Sequence, residues 1–395
     1  MIAEIVPDIY YVGVNKRTNE LFEALWPLPY GVSYNSYLIK DEKVALIDAC
    51  DLSLTQLYED QLLKTLDGRK VDYLIINHME PDHSGAIKAL RQLFPEMQIV
   101  GNARTFGMLK GFYGITENLH EVADGDILDL GIHKLQFHIT PMLHWPETMM
   151  SYEFTTRTLF SGDAFGCFGA LNGSPLDQNI DTDIYWGEMR RYYAGIVGKY
   201  GTPVQTALKK LNGILIDRIC STHGPVWQEH LQKAVAAYDR YSRYEGEDGV
   251  VIVYGSMYGN TEQLAEKIAG ELSARGVKNI VMHNVSVSDT SYILSDIFRY
   301  KGLILGSPVY NNNLFPKIEG LMKDLSSRGI KKRVYGSFGS YVWSQGALNQ
   351  LNTFGKDMGW KIAETDVRQE CTSDERNQQG CELLAESFVE LLKEV

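Results

Sequence analysis

Two imidazoles and two carboxylates, His78, Glu80, Asp82 and His83, stand within the stretch NHMEPDHSG from Asn77 to Gly85. Four groups that ligate metal ions are thereby crowded into one short loop. Without a cation, their burial and mutual repulsion would cost free energy that nothing else in the loop offsets. Farther along the chain the same residue types recur singly, as His144 in LHWPETM, Asp163 in FSGDAFG and His223 in STHGP. Imidazole and carboxylate without thiolate suit borderline or harder divalent ions, so zinc, iron and manganese are the candidates. A mononuclear zinc takes about four protein ligands. Seven therefore point to two metal ions, with a carboxylate such as Asp163 bridging them. His120, His133, His138 and His230 lack comparable carboxylate company and read as structural or exposed residues.

The elements that must position these ligands are short β-rich runs that end in polar residues and glycine: VALIDACD, VDYLIINHMEPDHSG, KLQFHITPMLHWP, TLFSGDAFG and DRICSTHGP. Each reads as a strand followed by a loop. His78, His144, Asp163 and His223 fall at such strand ends, where a rigid sheet aims loop residues at a common point. Asp48, closing VALIDA, is placed to accept a hydrogen bond from a ligand imidazole and so fix its tautomer. Trp26 and Trp145 are candidates to line an apolar pocket for a small gas.

A second constellation lies in the C-terminal part. Strands VVIVYGS, KGLILGSP and KKRVYGSFGS alternate with helical patterns such as TEQLAEKIAGELSARG, which predicts a doubly wound, mostly parallel sheet. The loop Ser256, Met257, Tyr258, Gly259, Asn260 and Thr261 opens directly into a helix. Backbone N–H groups there, with the side chains of Ser256, Asn260 and Thr261, suit a terminal phosphate. The pattern is neither GxxxxGK[ST] nor GxGxxG, which disfavours nucleoside triphosphates and dinucleotides. Two more loops, Ser307, Pro308, Val309, Tyr310, Asn311 and Asn312, then Ser340, Tyr341 and Trp343, leave the C-terminal ends of predicted strands, where such sheets bind ligands.

Length and charge bound the rest. A chain of 395 residues exceeds the size at which one core stops growing, and the polar stretch RYSRYEGEDG suggests a division into residues 1–248 and 249–395. A net charge of −12 argues against nucleic acid and anionic membranes as partners. The start MIAEIVPDIYYVG has no basic region, and no run approaches the roughly 18 apolar residues of a membrane span, so a cytoplasmic protein is expected. The five cysteines form no CxxC pair, as expected of reduced, mostly buried thiols.

The order H-x-E-x-D-H, followed by the histidine of LHWPETM, the aspartate of FSGDAFG and the histidine of STHGP, resembles the flavodiiron proteins. The resemblance covers essentially the whole chain, including FEALWPLPYGVSYNSYL and RRYYAGIV. It implies an α/β and α+β architecture: an N-terminal metallo-β-lactamase-like αββα sandwich, then a C-terminal flavodoxin-like doubly wound parallel sheet. Two non-haem irons and FMN are the implied cofactors, and reduction of dioxygen to water, of nitric oxide to nitrous oxide, or of both, is the implied activity. One iron would take His78, Glu80 and His144, the other Asp82, His83 and His223, with Asp163 between them. In some relatives a loop histidine is displaced by water, which singles out His83 among the seven. Hydrolytic members of the superfamily carry histidine at the position of Glu80 and hold zinc; a carboxylate there adds charge and hard oxygen donation that favour oxidised iron. The flavin loops resemble those that sandwich an isoalloxazine, with Tyr310, Tyr341 or Trp343 stacking, and Tyr193 in RRYYAG resembles a tyrosine near the substrate.

The resemblance also implies a head-to-tail homodimer, or a dimer of dimers, in which each flavin faces the partner's di-iron site. Neither a rubredoxin-like CxxC pair nor a nicotinamide fingerprint occurs, so an external donor such as rubredoxin or a reduced deazaflavin coenzyme is expected. A zinc hydrolase of the glyoxalase or lactamase type fused to an electron-transfer flavodoxin is the alternative reading. A gas or redox sensor would need an output domain.

Overall fold

The computed structural model of the chain describes residues 1–18, 20–372 and 374–395. It divides into two compact units, Met1–Tyr193 with Thr202–Asp239, and Ala194–Gly201 with Arg240–Val395. The polar stretch from Arg240 to Asp248 thus lies in the second unit, together with a short excursion of chain from the middle of the sequence.

The first unit is built on two sheets. One runs in the order Ala3–Val6, Ile9–Tyr11, Tyr37–Lys40, Val44–Ile47, Tyr73–Ile75, Gln98–Gly101 and Leu119–Glu121. It is antiparallel up to Val44–Ile47 and parallel from there on. The other runs Ile127–Asp129, Lys134–Ile139, Met149–Glu153, Thr158–Gly162 and Arg218–Ser221, with only its last pair parallel. Parallel neighbours require crossovers, and these supply the helices Thr55–Leu66, Ala103–Tyr113, Asp183–Tyr192 and Gly201–Leu211. Ile39, Ala45, Ile47, Ile75 and Val100 of the first sheet share a core with Leu135, Phe137, Met149, Phe160 and Cys220 of the second. Strands covered on both faces read as continuous apolar runs, and every residue of Val44–Ile47 and Thr158–Gly162 is buried. The strand ends predicted from the sequence therefore belong to a rigid sandwich.

The second unit has a parallel sheet in the order Ile280–Asn284, Glu247–Tyr254, Tyr300–Tyr310, Val334–Tyr341 and Lys361–Ile362, with Val367–Glu370 also parallel to Val334–Tyr341. Asn313–Leu314 returns antiparallel onto the end of Tyr300–Tyr310. The helices Asn260–Ala274 and Glu375–Leu392 close one face over Val250, Ile252, Ile304 and Phe338 with Leu264, Ile268, Leu384 and Phe388. Sequence order and spatial order differ in the way typical of doubly wound sheets, whose ligand site lies at the carboxyl ends of the strands. Among the described residues no helix is long and apolar enough to cross a membrane. Four of the five cysteines are buried, and Cys371 is exposed.

Candidate metal centre and flavin site

The metal-binding loop is held from behind by carboxylates. Asp48 ends its strand in the left-handed conformation (φ 53°) and accepts the N–H groups of Asn77 (2.8 Å) and His78 (3.3 Å) and the Asn77 side-chain amide (3.2 Å). It thus fixes the backbone of the loop rather than an imidazole, contrary to the sequence expectation. Burial pushes Asp48 up to about 6, against the pull of His83 and the two backbone donors. The imidazole-orienting carboxylate is Glu147. Its Oε1 lies 2.8 Å from His78 Nδ1 and accepts the Met79 N–H (2.9 Å), which turns His78 Nε2 toward the centre. The loop then enters a single helical turn, Pro81–Ser84, with proline at its first position. Gly85 closes it because a Cβ there would stand 2.6 Å from the Leu52 nitrogen and 2.7 Å from the Pro81 oxygen.

The remaining ligands come from three other strand ends. His144 precedes Met149–Glu153, Asp163 follows Thr158–Gly162 and His223 follows Arg218–Ser221. His223 Nδ1 donates to the Ser33 carbonyl (2.7 Å), leaving Nε2 free. Gly224 then turns the chain at φ 75°, where a Cβ would lie 2.2 Å from Cys167 Sγ.

All seven side chains converge in two groups, His78, Glu80, His144 and Asp163, then Asp82, His83 and His223, the ligand atoms of each lying within 4.8 Å of one another. Glu80 Oε2 is 3.0 Å from His78 Nε2 and 3.1 Å from His144 Nε2. Asp82 Oδ2 is 3.3 Å from both His83 Nε2 and His223 Nε2. Asp163 faces both groups: its Oδ2 lies 3.1 Å from His144 Nε2, its Oδ1 2.9 Å from His83 Nε2. Thr222 Oγ1 donates to that same Oδ1.

Carboxylates and imidazoles shift one another strongly within the centre. Burial alone disfavours imidazolium, yet the carboxylates outweigh it: Asp82 and Asp163 raise His83 to about 9, and Asp163 and Glu80 raise His144 to about 9. Burial would raise Asp163 and Glu80, but the surrounding imidazoles hold both well below the carboxylate range. Both Asp82 carboxylate oxygens, both His83 nitrogens and His223 Nε2 are buried without a hydrogen-bond partner. Buried polar atoms of that kind are costly. Two divalent ions would engage the carboxylate oxygens and one nitrogen of each imidazole, so the residues fit a dinuclear centre.

Aromatic rings wall the centre. Phe22, Tyr34 and Tyr192 stand 5.3, 5.7 and 5.6 Å from the His223 ring, and Trp145 lies edge-on to His78 at 5.3 Å. Trp26 is buried and pairs with Phe22 across a two-residue ladder. Of the two tyrosines in RRYYAG, Tyr193 packs edge-on against Tyr238 (5.1 Å) and Tyr192 packs on His223 (5.6 Å). Burial, then the charge of Asp163, Glu80 and Asp82, pushes the Tyr192 phenol well above its ordinary value, and its hydroxyl has no hydrogen-bond partner among the described residues. Glu147 and Tyr192 were both adjacent in sequence to residues that the motifs had singled out, beside LHWP and inside RRYY.

The second unit carries a cavity of about 310 Å³ at the carboxyl ends of its strands. Ser256, Met257, Tyr258, Asn260, Thr261, Pro308, Val309, Tyr310, Asn311, Ser340, Tyr341 and Trp343 line it, joined by Val342, Ser344 and Cys371. Gly259, Ser307 and Asn312 shape the loops instead of lining the cavity. The Gly259 N–H donates to Ser256 Oγ (3.1 Å), and Ser307 Oγ accepts the Phe315 N–H (2.9 Å). Asn312 takes the left-handed conformation at the hairpin tip (φ 60°). No lining residue is charged, so a phosphate here rests on hydroxyls and on the N–H groups that open helix Asn260–Ala274. That cradle and the flat aromatic walls fit FMN.

Comparison with known proteins matches this geometry. The family model described as ODP family beta lactamase matches residues 32–224, and the flavodoxin model matches residues 252–387. An anaerobic nitric oxide reductase flavorubredoxin from Escherichia coli is 35% identical over 341 residues, covering 84% of this chain and 70% of the relative. The chain belongs to the flavodiiron proteins. Rubredoxin:oxygen oxidoreductase from Desulfovibrio gigas superposes with a TM-score of 0.95 at 27% identity, covering 100% of this chain and 99% of that one. An engineered variant of a flavo-di-iron protein from Thermotoga maritima gives 0.91 at 25% identity, covering 99% and 98%. As a flavodiiron protein the chain is an oxidoreductase with FMN and a non-haem di-iron centre, which sets aside the zinc-hydrolase and sensor readings.

Proposed function

We propose that this flavodiiron protein reduces nitric oxide to nitrous oxide, with dioxygen reduction to water as the second activity, at two irons held by His78, Glu80 and His144 and by Asp82, His83 and His223. The observation that carries the reading is Asp163, whose two oxygens face two separate ligand groups. Nitric oxide stands first because the curated relative at 35% identity is a nitric oxide reductase; the Desulfovibrio neighbour supports dioxygen. The reactions balance as 2 NO + 2 e⁻ + 2 H⁺ → N₂O + H₂O and O₂ + 4 e⁻ + 4 H⁺ → 2 H₂O. When bound, the irons supply Lewis acidity and electrons, and the flavin stores two electrons.

The protein's part is to orient, exclude water and hold protons. Glu147 keeps His78 Nε2 aimed inward, and the Ser33 carbonyl does the same for His223. Phe22, Tyr34 and Trp145 keep the centre dry, which strengthens every electrostatic contact within it. The Tyr192 hydroxyl, unpartnered and protonated at any physiological pH, is the donor offered to a bound diatomic.

Residues 1–248 are assigned the metal chemistry and residues 249–395 the flavin chemistry, in a cytoplasmic protein. Tyr258 and Trp343 are 91% and 80% exposed at the rim of the flavin cavity, which favours coverage by a second copy arranged head to tail, fed by an external donor such as rubredoxin. Anaerobic stopped-flow mixing of the reduced protein with each gas tests the reading. Flavin and iron reoxidation by nitric oxide with nitrous oxide as product is expected; reoxidation by dioxygen alone would reverse the order of preference.

A further inference from the structure

Within the first unit alone, aromatic side chains form a line from the surface to the metal centre. Its outer end is layered. His230, whose side chain is 31% exposed, stacks on Trp186 (ring centres 5.9 Å apart, planes 10° apart), and Trp186 stacks on Trp227 (4.6 Å, 29°). Trp186 is half-buried on helix Asp183–Tyr192, with Lys233 Nζ 3.8 Å above its ring, whereas Trp227 is fully buried. The Trp227 indole N–H donates to the Phe165 carbonyl (2.9 Å), and Phe165 stands two residues after Asp163 in the same loop. The Phe165 ring lies 4.6 Å from that of Tyr238, on helix Leu231–Ser242. Tyr238 is edge-on to Tyr193 (5.1 Å), and the next residue back, Tyr192, packs on His223 (5.6 Å).

Packing alone does not require this composition. Indole and phenol are the aromatic side chains that give up one electron most readily, and rings in van der Waals contact exchange electrons rapidly. The Tyr192 hydroxyl is buried without a hydrogen-bond partner, a costly state that a redox or catalytic role explains. Dioxygen needs four electrons, so a cycle that begins one electron short stops at reactive, partly reduced oxygen. We propose that Trp186, Trp227, Tyr238 and Tyr192 form a one-electron path between the surface of the first unit and the metal centre, which completes dioxygen reduction when one electron is lacking. This rests on the dioxygen activity and on the reading of Tyr192 as the donor to the bound gas. The Tyr192 O–H bond breaks, and its proton and one electron pass to the oxygen being reduced. The phenoxyl radical left behind takes an electron from the stacked indoles through Tyr238, and a proton from water. A thiol at the surface refills the indole pair, RSH → RS• + e⁻ + H⁺, and two RS• join as a disulfide. The sum, O₂ + 3 e⁻ + 3 H⁺ + RSH → 2 H₂O + RS•, balances in atoms and charge. Lys233 tunes the outer end, because its charge above the Trp186 ring opposes a cation radical there.

The test uses the full-length holoenzyme with iron and FMN contents measured. The protein is reduced to one electron short of four, mixed with dioxygen and freeze-quenched for electron paramagnetic resonance, with deuterated tryptophan identifying the radical. The wild type is expected to show a tryptophanyl radical that dithiothreitol removes. Trp186→Phe is expected to lose that removal by thiol while keeping the rate of dioxygen reduction when electrons are in excess. Trp227→Phe is expected to leave a tyrosyl signal in place of the tryptophanyl one, and Lys233→Met to raise the tryptophanyl yield. Peptide mass spectrometry after repeated electron-poor turnover without thiol is expected to find Trp186 oxidised. If Trp227→Phe fails to fold, the surface variants Trp186→Phe and Lys233→Met decide. Dioxygen uptake with no protein radical, with a tyrosyl radical alone, or with a tryptophanyl radical that none of these variants alters would overturn the path and leave the dioxygen reading standing. No dioxygen uptake by the fully reduced protein would overturn the dioxygen reading, and the path with it.

Discussion

The metal centre and the flavin cavity solve opposite problems. The centre is buried and charged: seven imidazole and carboxylate side chains converge from four strand ends, and Asp163 serves both halves. The flavin cavity is uncharged and open, with aromatic residues at its rim as exposed as Tyr258. A charged site cannot tolerate a missing partner, because each buried ion depends on the others. A neutral cavity built from hydroxyls, backbone donors and flat rings loses little when one contact is removed. Single substitutions should therefore be severe and metal-specific in the first region, and graded in the second.

Asp163→Ala is the largest expected effect. Removing the bridge should empty both iron positions and lower turnover by about 10³-fold or more, while FMN content stays near one per chain. Iron analysis beside the flavin absorbance checks this, and loss of both cofactors together would break the contrast between the regions. Glu80→His, which restores the hydrolase pattern H-x-H-x-D-H, should exchange iron for zinc and abolish gas reduction in a folded protein. Elemental analysis decides it: a variant that keeps iron and wild-type turnover would show that Glu80 does not set the metal.

Smaller steps sharpen the contrast. Glu147→Gln leaves all seven ligands but weakens the acceptor on His78 Nδ1, and metal affinity should fall about 10- to 100-fold in a chelator competition. Ser256→Glu places a charge where the cavity has none. FMN affinity should fall about tenfold, roughly 1.4 kcal/mol, with iron content unchanged, as titration of the flavin-depleted protein would show.

The smallest effect belongs to a pair outside both sites. His133 Nδ1 lies 3.1 Å from Glu153. Burial would raise the Glu153 carboxyl, but the His133 imidazole beside it and the hydrogen bonds from Thr156 and Thr155 outweigh it and hold the group at about 2. A depressed carboxylate stabilises the fold above its unfolded value and loses that contribution as pH falls through the folded one. The window here runs from about pH 4.5 down to about 2. Glu153→Gln should therefore lower the urea midpoint at pH 6, and the gap to wild type should shrink toward pH 2. It should leave iron and FMN contents unchanged, since an imidazole–carboxylate pair by itself makes no centre.

Much of this was legible in the sequence because it depends on local chemistry. Four ligands packed into one loop announce a metal whatever surrounds them, and a hydroxyl-rich loop opening into a helix announces a phosphate cradle. The alternation of strands and helices after residue 249 was enough to predict a parallel sheet, since parallel neighbours require crossovers. Local pattern does not separate residues of the same suitable type. Tyr192 and Tyr193 are equivalent in composition, but each residue of a helix turns about 100°, so one packs on His223 and the other on Tyr238. Asp48 stands where a supporting carboxylate belongs, yet it is spent on the N–H groups of Asn77 and His78, and Glu147 arrives from another loop to orient the imidazole.

By itself, then, the sequence determined the kinds of atoms available, their spacing along the chain and the elements that carry them, because propensity, periodicity and ligand chemistry act over a few residues. Only the tertiary structure decided which oxygen of Asp163 faces which group, which tyrosine packs on His223, and that Glu147 backs His78. Such relations join residues far apart in sequence, as Thr222 with Asp163, 59 positions apart, or His223 with Ser33, 190 apart. Burial of two whole sheet faces fixes them together, and no local preference encodes that packing.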